Sequence, residues 1–521
     1  MNGSENVLIV GAGPTGLVLA HELTRDGVAC RLIDKAAVRS AHSKAIAIHA
    51  RTLETFQLMQ IVDDFLAVGQ PIDAIRLFGE SDEIGHVDLA STIPSRYPFV
   101  LSVPQNQTEQ ILEDRLAQRG VRVERGTELT HLEPRDGGVV TRLRVDDQEQ
   151  LAEFDWVMGC DGAHSRVRQA LGIGFAGSTY PEHFLLADLR VAGGVDPTEA
   201  RVWLHRDGVV ALFPMPKDRY RLVVADAPSE WTSEPTLRQC QELVEARVPG
   251  APALSDIGWS SMFRIHRREA AQFRQHRCFL LGDAAHIHSP VGGQGMNMGI
   301  QDAFNLAWKL SRVIRGVADP ILLDSYEAER KPIDEAVIRQ TDRATRLVAP
   351  HGGAVRFLRD HMMSLLTRLP AVERRIGPAL AGIAVDYRNS PIVEERAGGL
   401  AEVLAGDRAP DVPLARAEGG SVLQLYDLLA ERRPVLLDIG DPSERWPSVP
   451  GLHSIPLYHV APTDSRQGAL VDCDGEVAAH FGTAPAAYLI RPDGYVGFHC
   501  RRRDVAAALP RYVSRYFSQA V

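Results

Sequence analysis

Three glycines near the start of the chain constrain its fold more than any other feature. Gly11, Gly13 and Gly16 directly follow the apolar run Val7–Val10, and the acidic residue Asp34 ends the next apolar run. This order predicts a strand, a tight turn, a helix and a second strand, with room for a phosphate at the second glycine. The helix N-terminus would attract the phosphate, and Asp34 would accept hydrogen bonds from a ribose. The unit predicts a dinucleotide site, although the same glycines also occur where a helix packs on a sheet without a ligand.

The composition is that of an ordinary globular protein. The chain has 521 residues, of which 45% are hydrophobic and 24% charged, enough for about three domains. Its net charge is −10, so no nucleic-acid partner is expected. The six cysteines are dispersed and form no C-x-x-C pair, which favours a reducing compartment. No apolar run is long enough to span a bilayer and no signal layout precedes the first strand. We therefore expect a cytoplasmic protein without a membrane partner.

The hydrophobic pattern changes along the chain, which predicts several domains. Residues 1–180 are expected to form the first part of an α/β domain, and 181–275 carry the short alternating runs of an inserted antiparallel sheet. The α/β pattern and a helical region return over 276–395. Residues 396–521 are expected to form a small separate α/β unit, with a hairpin around Pro492-Asp-Gly494.

Two further motifs follow predicted buried strands, far from the first motif along the chain. One is the Asp161-Gly162 segment, and the other runs from Gly282 to Asn297 and includes Asp283. Because α/β sheets bind ligands at the carboxyl ends of their strands, we expect all three motifs at one site. Asp283 is placed to hold a ribityl or ribose hydroxyl, and the glycine-rich stretch lets the backbone approach a flat ring. The helix that begins near Met296 would direct its positive end at that ring.

With these motifs the sequence resembles the FAD-dependent aromatic hydroxylases, or phenol-type flavoprotein monooxygenases, and most closely their pentachlorophenol monooxygenase group. The resemblance is specific over residues 5–345 and looser beyond them. Further segments that carry it are Ser43–Glu54, Arg96–Phe99, Gln105–Glu109, Gln301–Lys309, Gly406–Pro410 and Arg491–Tyr495. It implies an α/β fold with a Rossmann-like FAD-binding domain, an inserted antiparallel-sheet substrate domain and a C-terminal thioredoxin-like domain. Because the last domain lacks a C-x-x-C pair, we expect it to be a scaffold or a dimer contact rather than a redox centre.

The resemblance also implies which residues bind FAD. Those assigned to the pyrophosphate are Gly11, Gly13, Thr15 and Gly16. Those assigned to the adenosine, its ribose and the nearby phosphates are Asp34, Lys35, Lys44 and Leu129, with Leu129 on the adenine side. Those assigned to the ribityl chain, the diphosphate region and the isoalloxazine are Gln105, Asp283, Pro290, Gly295, Met296 and Asn297. In the family the Asp161-Gly162 segment also serves the nicotinamide cofactor.

The activity implied by the resemblance is hydroxylation of a phenolic or other electron-rich aromatic ring by FAD, NAD(P)H and O2, through a flavin C4a-hydroperoxide. The absence of a second glycine fingerprint suits transient binding of NADPH or NADH. The inserted sheet would roof the cleft and exclude water. Phe213, Met215 and Tyr220 on that sheet are candidate substrate contacts, although plain sheet packing explains them equally well. The C-terminal domain also leaves a homodimer open as an arrangement for this fold.

Other interpretations remain open at this point. A reductase or a halogenase-like enzyme has a similar fold, although the W-x-W-x-I-P signature of halogenases is absent, and a flavin-binding protein without catalysis is a further alternative. His286 and His288 invite a metal interpretation, but no third ligand is evident near them, so no metal is expected. His49 and Arg51 are expected to touch flavin or substrate, or to cap the following helix. The run Arg501–Asp504 is expected on a solvated face.

Overall fold

The computed structural model describes residues 6–41, 43–80, 82–193, 195–228, 231, 234–289, 292–348, 377–398, 401–416, 422–440, 446, 449, 455–461, 470–472 and 474–517. The strands, in chain order, are β1 (Val7–Val10), β2 (Cys30–Asp34), β3 (Ala47–Ile48), β4 (Gln70–Ile72), β5 (Ala74–Phe78), β6 (Glu83–Asp88), β7 (Val100–Ser102), β8 (Val123–Arg125), β9 (Thr127–Arg135), β10 (Gly138–Val145), β11 (Gln148–Phe154), β12 (Trp156–Gly159), β13 (Phe175–Val191), β14 (Glu199–His205), β15 (Gly208–Met215), β16 (Arg219–Ala225), β17 (Leu254–Ala270), β18 (Arg274–Gln275), β19 (Cys278–Leu280), β20 (His286–Ile287), β21 (Glu394–Glu395), β22 (Pro413–Arg416), β23 (Leu423–Gln424), β24 (Val435–Ile439), β25 (Leu457–Ala461), β26 (Leu470–Val471), β27 (Ala486–Ile490) and β28 (Val496–Arg501).

The α-helices of the described residues are α1 (Pro14–Arg25), α2 (Ala50–Leu58), α3 (Val62–Leu66), α4 (Leu89–Thr92), α5 (Gln105–Gln118), α6 (Arg166–Ala170), α7 (Leu237–Arg247), α8 (Gln294–Ile314), α9 (Asp324–Val348), α10 (Leu425–Leu429), α11 (Glu476–Phe481) and α12 (Val505–Tyr516). None of them combines the length and the apolar character needed to cross a bilayer. The five cysteines of the described residues are free thiols.

A six-stranded sheet organises the first domain. Its order is β18-β19-β12-β1-β2-β8, and its strands run parallel except for β18. The chain leaves β1 through α1 to β2 on one side, and β12 pairs with β1 on the other. The direction in which the chain adds strands therefore reverses beside β1. Sheets of this kind have a crevice at such a point, here at the carboxyl ends of β1 and β12. The predicted strand-turn-helix-strand unit and the Rossmann-like sheet are confirmed.

Two glycines are required where α1 packs on this sheet. Gly11 has φ of +103°, and a Cβ atom at this position would collide with the carbonyl oxygen of Cys160 at the end of β12. A Cβ atom at Gly16 would collide with the carbonyl oxygen of Gly11. Gly13 differs, because no atom lies within 4 Å of the position that its Cβ would take. Gly11 and Gly16 thus serve the fold, whereas the space at Gly13 stays open.

An eight-stranded sheet forms the inserted domain, in the order β20-β17-β13-β16-β15-β14-β5-β6. One face packs against α7 through apolar side chains, among them Leu212, Leu222 and Leu243. The predicted antiparallel sheet is confirmed for β13, β14, β15, β16 and β17. It also takes in β5, β6 and β20 from outside residues 181–275, and β5 runs parallel to β14. Strands β13 and β17 have 17 residues each, and α7 was not predicted. Register shifts between Thr179 and His183 and between Asp188 and Arg190 interrupt the alternation of β13, which hides its length in the sequence.

A third large sheet, β21-β28-β27-β24-β25-β26-β22-β23, organises the C-terminal unit. The predicted hairpin is confirmed, because β27 and β28 pair antiparallel on either side of the turn at 492–494. The unit has its own sheet, but it packs closely on the rest of the chain. Buried residues of β24, β27 and β28, such as Leu437, Tyr488 and Val496, belong to the same hydrophobic core as Val7 and Leu17.

Replacing Gly16 by alanine is expected to destabilise the apoprotein, because the added methyl group would push α1 away from β1. Overpacking of this kind costs about 1–3 kcal/mol. Gly13→Ala is the matched control: its Cβ meets nothing and φ is −75°, so the loss should stay within about 1 kcal/mol, the cost of alanine at an N-cap. Thermal unfolding followed by circular dichroism measures both variants. Equal melting temperatures for the two would contradict this packing argument.

Candidate active site

The three sequence motifs meet at the crevice between β1 and β12. Gly11 approaches the backbone of Cys160, which precedes Asp161. The Thr15 hydroxyl lies between Gly282 and Gly299, where a Cβ atom at either glycine would meet it at less than 3 Å. The segments that follow β1, β12 and β19 therefore form one continuous wall, as the sequence predicted.

The N-terminus of α1 offers free hydrogen-bond donors. Its N-cap is Gly13, which has no side chain to cap the first turn, so the N–H groups of that turn have no side-chain acceptor at the cap, and open space lies beside Gly13. The Asp34 carboxylate accepts hydrogen bonds from the backbone N–H groups of Ala12 and Ala36, both at 2.8 Å. Asp34 thus holds the glycine loop and keeps lone pairs for a further donor. This arrangement can bind a phosphate and a hydroxyl side by side.

Asp161 fixes the start of α6. Its Oδ2 accepts hydrogen bonds from the N–H groups of Arg166 and Val167, at 2.6 and 3.2 Å, while its Oδ1 is buried without a hydrogen-bond partner. Burial raises the pKa of Asp161. Two residues into α6, the guanidinium of Arg168 donates to the carbonyl oxygens of Ala163 and Ala284, at 2.8 and 2.7 Å. Arg168 therefore ties the Asp161 segment to the Asp283 loop, a role that the sequence analysis did not assign.

Asp283 lies close enough to Lys44 to be attracted by its positive charge. The Asp283 side chain is accessible to solvent. The protein atoms around it still remove enough water to raise its pKa, although His286 and Lys44 attract the charged form. Lys44 is exposed in the segment before β3, and Lys35 is exposed directly after β2. Gln105 begins α5, where its side chain donates to Glu109 at 2.9 Å.

The first turn of α8 forms the opposite end of the crevice. Asn297 accepts a hydrogen bond from the His49 N–H at 2.9 Å and donates to the carbonyl oxygen of Ala47 at 2.9 Å. It therefore joins the loop before α2 to the helix that contains Gly295 and Met296, both half-buried. Pro290, which was predicted to line the same place, lies outside the described residues.

His288 presents a neutral imidazole beside Gly295. Its Nδ1 donates to the carbonyl oxygen of Ser289 at 2.8 Å, which fixes the tautomer and leaves Nε2 as an acceptor. That Nε2 is buried and has no hydrogen-bond partner. Burial lowers the pKa of His288 to about 4, so the ring is uncharged at neutral pH. His49 is similar, because burial lowers its pKa to about 4.

A buried group of charges lies beneath the Asp283 loop. Asp302 accepts hydrogen bonds from the Gly282 N–H at 3.0 Å and from His286 at 2.7 Å, and its other oxygen accepts from Arg330 at 2.6 Å. Asp334 lies 3.2 Å from the same His286 nitrogen. No third ligand was evident near His286 and His288 in the sequence, but the fold places the carboxylates of Asp302 and Asp334 beside His286. Arg330 already supplies a compensating positive charge at this place, so the group is balanced from within.

The pKa values of this group follow from its burial and its pairing. Burial alone would lower the pKa of His286, but Asp334 and Asp302 raise it to about 9. Burial raises the pKa of Asp334 to about 7, against the attraction of His286. Burial also opposes ionisation of Asp302, but Arg330 and His286 hold its pKa at about 2.

One face of the inserted sheet is turned toward the crevice. Register places Phe213, Arg221, Asp188 and Trp259 in one row across four strands. The Arg221 guanidinium pairs with both oxygens of Asp188, at 2.5 and 2.9 Å, and donates to the carbonyl oxygen of Ser43 at 2.9 Å. Because Ser43 precedes Lys44, this face lies against the loop that leads to α2. Met215, two residues beyond Phe213, shares the face.

Two predicted placements are corrected by the structure. Tyr220 lies on the opposite face of the sheet, in the core beneath α7, and its hydroxyl donates to the carbonyl oxygen of Val195 at 2.9 Å. It is therefore a packing residue and not a wall of the crevice. Arg502 is buried and pairs with Asp438 at 3.0 Å, so the run 501–504 is not a uniformly solvated face.

Leu129 and Arg51 take positions that the sequence left open. The Leu129 side chain is 1% exposed in the hydrophobic core, so only its main chain remains for the predicted adenine contact. His49 is the N-cap of α2, although its side chain makes no capping hydrogen bond. Arg51 is directed away from the cap, and its guanidinium donates to the carbonyl oxygen of Asp493 at 2.7 Å and to the hydroxyl of Tyr426 at 3.1 Å.

A Rossmann-like sheet, three strand-end motifs at one crevice and an antiparallel sheet facing them define an FAD-dependent oxidoreductase. Residues 4–341 match the family model described as FAD binding domain, and residues 402–520 match the one described as aromatic-ring hydroxylase, C-terminal. The chain therefore belongs to the FAD-dependent aromatic-ring monooxygenases, and it is an enzyme. The resemblance inferred from the motifs is confirmed.

The comparisons with individual proteins agree. The chain is 35% identical to 6-methylpretetramide 4-monooxygenase of Streptomyces rimosus, over 97% of this chain and 92% of the relative. It is 33% identical to pentachlorophenol 4-monooxygenase of Sphingobium chlorophenolicum, over 94% of this chain and 93% of the relative. Among solved structures, the anhydrotetracycline hydroxylase OxyS of Streptomyces rimosus has a TM-score of 0.79 at 30% identity, covering 99% of this chain and 100% of that one.

The described residues fit FAD. The uncapped first turn of α1 and the open space at Gly13 suit a pyrophosphate. The unpartnered Nε2 of His288 and Oδ1 of Asp161 are buried acceptors at the same crevice, and an unpaired buried acceptor is costly unless a ligand provides a donor.

The buried Asp334 predicts how stability changes with pH. Its folded-state pKa of about 7 exceeds the ordinary value of 3.8, so the folded state loses stability as pH rises between them. The stability from the raised pKa of His286 is complete below 6.5 and is lost as pH rises through about 9. Asp334→Asn weakens both effects. Between about pH 5 and about pH 9, the melting temperature of the wild type should therefore fall further than that of the variant. A constant difference between the two across this range, measured by differential scanning fluorimetry, would refute the assignment.

Proposed function

We propose that the enzyme hydroxylates a phenolic or other electron-rich aromatic ring with the use of NAD(P)H and O2. The observation that carries the proposal is the meeting of three FAD motifs at a crevice whose facing sheet presents aromatic side chains. Bound FAD supplies the redox chemistry, taking a hydride from NADPH or NADH and activating O2. The chain itself has to bind the cofactor, orient the ring beside it and exclude water.

The cofactor contacts proposed for this chain are those that the family resemblance implies, and the geometry of the crevice supports them. The N–H groups at the start of α1 would bind the pyrophosphate, and Asp34 would accept from the adenosine ribose. Asp283 would hold a hydroxyl of the ribityl chain, with Lys44 nearby as a counter-charge. The first turn of α8, with Gly295 and Met296, would direct its positive end at the ring system and favour negative charge there.

The proposed substrate site is the crevice-facing side of the inserted sheet. Phe213, Met215 and Trp259 supply apolar and aromatic surface on that face, and Phe184 packs against Phe263 beside them, with ring centroids 5.9 Å apart. The one cation of the row, Arg221, is already paired with Asp188. Such a surface favours an aromatic ring over a strongly anionic ligand. The relatives named for pentachlorophenol and for tetracycline intermediates set the range of sizes to test.

The test of this proposal is oxygen incorporation. The purified enzyme is expected to hold one FAD per chain, and small phenols or polycyclic phenols should stimulate its oxidation of NADPH or NADH. With 18O2, the product of the best substrate should carry one labelled oxygen atom. An Asp283→Ala variant should retain much less FAD during purification. An enzyme that holds FAD but responds to no aromatic compound would support the binding-protein alternative, and a product without label would support the reductase alternative.

Phe213 and Tyr220 provide a matched pair for the substrate site. Phe213→Ala removes a ring from the crevice face, so KM for the best substrate should rise roughly tenfold, with less product per NAD(P)H consumed. Tyr220→Phe removes only the hydroxyl that bonds Val195 on the other face, so KM should stay unchanged. Steady-state kinetics together with product quantification measure both. A larger effect from Tyr220 than from Phe213 would show that the substrate binds elsewhere.

A further inference from the structure

One turn of the C-terminal unit holds several helices of the FAD-binding domain. The turn is Arg491–Tyr495, between β27 and β28. The carbonyl oxygen of Asp493 accepts a hydrogen bond from Arg51 on α2 at 2.7 Å, and its carboxylate accepts from the indole N–H of Trp308 on α8 at 3.0 Å. One residue of the turn therefore fixes two helices that border the crevice.

Buried ion pairs hold the same turn to α9. Arg491 donates to both carboxylate oxygens of Glu329, at 2.6 and 3.0 Å, and Lys309 on α8 donates to Glu329 at 2.6 Å. Arg491, Lys309, Glu329 and Asp493 are two cations and two anions, each at most 2% exposed. Breaking one pair would leave a buried charge uncompensated, so the turn cannot shift independently of the helices.

Arg51 lies close to the crevice but does not point into it. It is the second residue of α2, and its side chain is 3% exposed. Besides Asp493, it contacts the hydroxyl of Tyr426 at 3.1 Å, and its guanidinium lies 4.9 Å from the ring centre of Tyr495. These three partners belong to the C-terminal unit, and a fourth, the carboxylate of Glu54, lies one turn further along α2 at 3.0 Å. Arg51 therefore attaches the first turn of α2 to that unit.

The path from Arg51 to the crevice is short. His49, two residues earlier, is the N-cap of α2, and its backbone N–H donates to the Asn297 side chain at 2.9 Å. Asn297 also donates to the carbonyl oxygens of Ala47 and Gly293, at 2.9 and 2.8 Å. The position of α2 thus sets the position of the loop that meets the start of α8, where the ring of FAD is proposed to lie.

We propose that Arg51 is a positioning residue through which the C-terminal unit sets the affinity of the enzyme for FAD. The guanidinium holds α2 against the Arg491–Tyr495 turn, and α2 in turn holds His49 on Asn297. The C-terminal unit then acts on the cofactor site through Arg51 and α2. This inference rests on FAD binding at the crevice, as stated in the proposed function.

The test compares FAD affinity across variants of the full-length apoprotein. Arg51→Met should raise the Kd for FAD, measured by quenching of flavin fluorescence, by about tenfold. Arg51→Lys keeps the positive charge but loses the planar guanidinium that reaches Asp493 and Tyr426 together, so its Kd should rise less, by about threefold. Trp308→Phe removes the indole hydrogen bond to Asp493, together with part of the ring that stacks on Phe517, and should raise Kd by about threefold as well. These two milder variants carry the test if Arg51→Met does not fold.

A buried arginine elsewhere separates positioning from general stability. Arg247 is 7% exposed and donates to the carbonyl oxygens of Ala225 and Asp226 in the inserted domain. Arg247→Met should lower the apoprotein melting temperature but leave Kd unchanged. The inference is wrong if Arg51→Met, Arg51→Lys and Trp308→Phe lower the melting temperature but leave the Kd for FAD at the wild-type value. If wild-type apoprotein itself fails to bind FAD, the proposed function fails first.

Discussion

The close approach of backbones at the carboxyl ends of β1 and β12 is the constraint on which the structure depends. Gly11 touches the main chain of Cys160, and α1 crosses Gly11 so closely that only glycine fits at Gly16. The same closeness seats Thr15 between two glycines of the third motif. Segments about 150 residues apart (Gly11 and Cys160) and about 120 residues apart (Asp161 and Asp283) are thereby fixed against each other around one crevice.

Buried charges hold the rest of the molecule to that crevice. Asp302 binds the backbone of Gly282, the ring of His286 and the guanidinium of Arg330, so the Asp283 loop rests on a network with its charges paired internally. Such networks contribute little net stability compared with apolar packing, but any displacement leaves a charge unpaired in a dry interior. Their effect is to restrict the loop to one arrangement, as a site that must position a flat ring requires.

Local patterns predicted the local parts of this fold, and the binding of ligands at the carboxyl ends of parallel strands predicted that the three motifs meet. The glycine spacing gave β1, α1 and β2, and the Pro492-Asp-Gly494 turn gave the last hairpin, because both depend on backbone conformations set within a few residues. The face on which Tyr220 lies depends on the register of a bulged sheet, and the burial of Arg502 depends on Asp438, 64 positions away. Likewise, Asp302 had no visible relation to His286 until the chain was folded. A single sequence did not show which residues contact each other when they lie far apart along the chain.

The proposed placement of FAD is tested most directly by a crystal structure of the enzyme grown with FAD. We expect density for the pyrophosphate at the first turn of α1, for the adenosine ribose within hydrogen-bonding distance of Asp34, and for the isoalloxazine between the start of α8 and the Phe213 face of the inserted sheet. Density for FAD at another place, or an isoalloxazine ring on the Tyr220 side of that sheet, would contradict it.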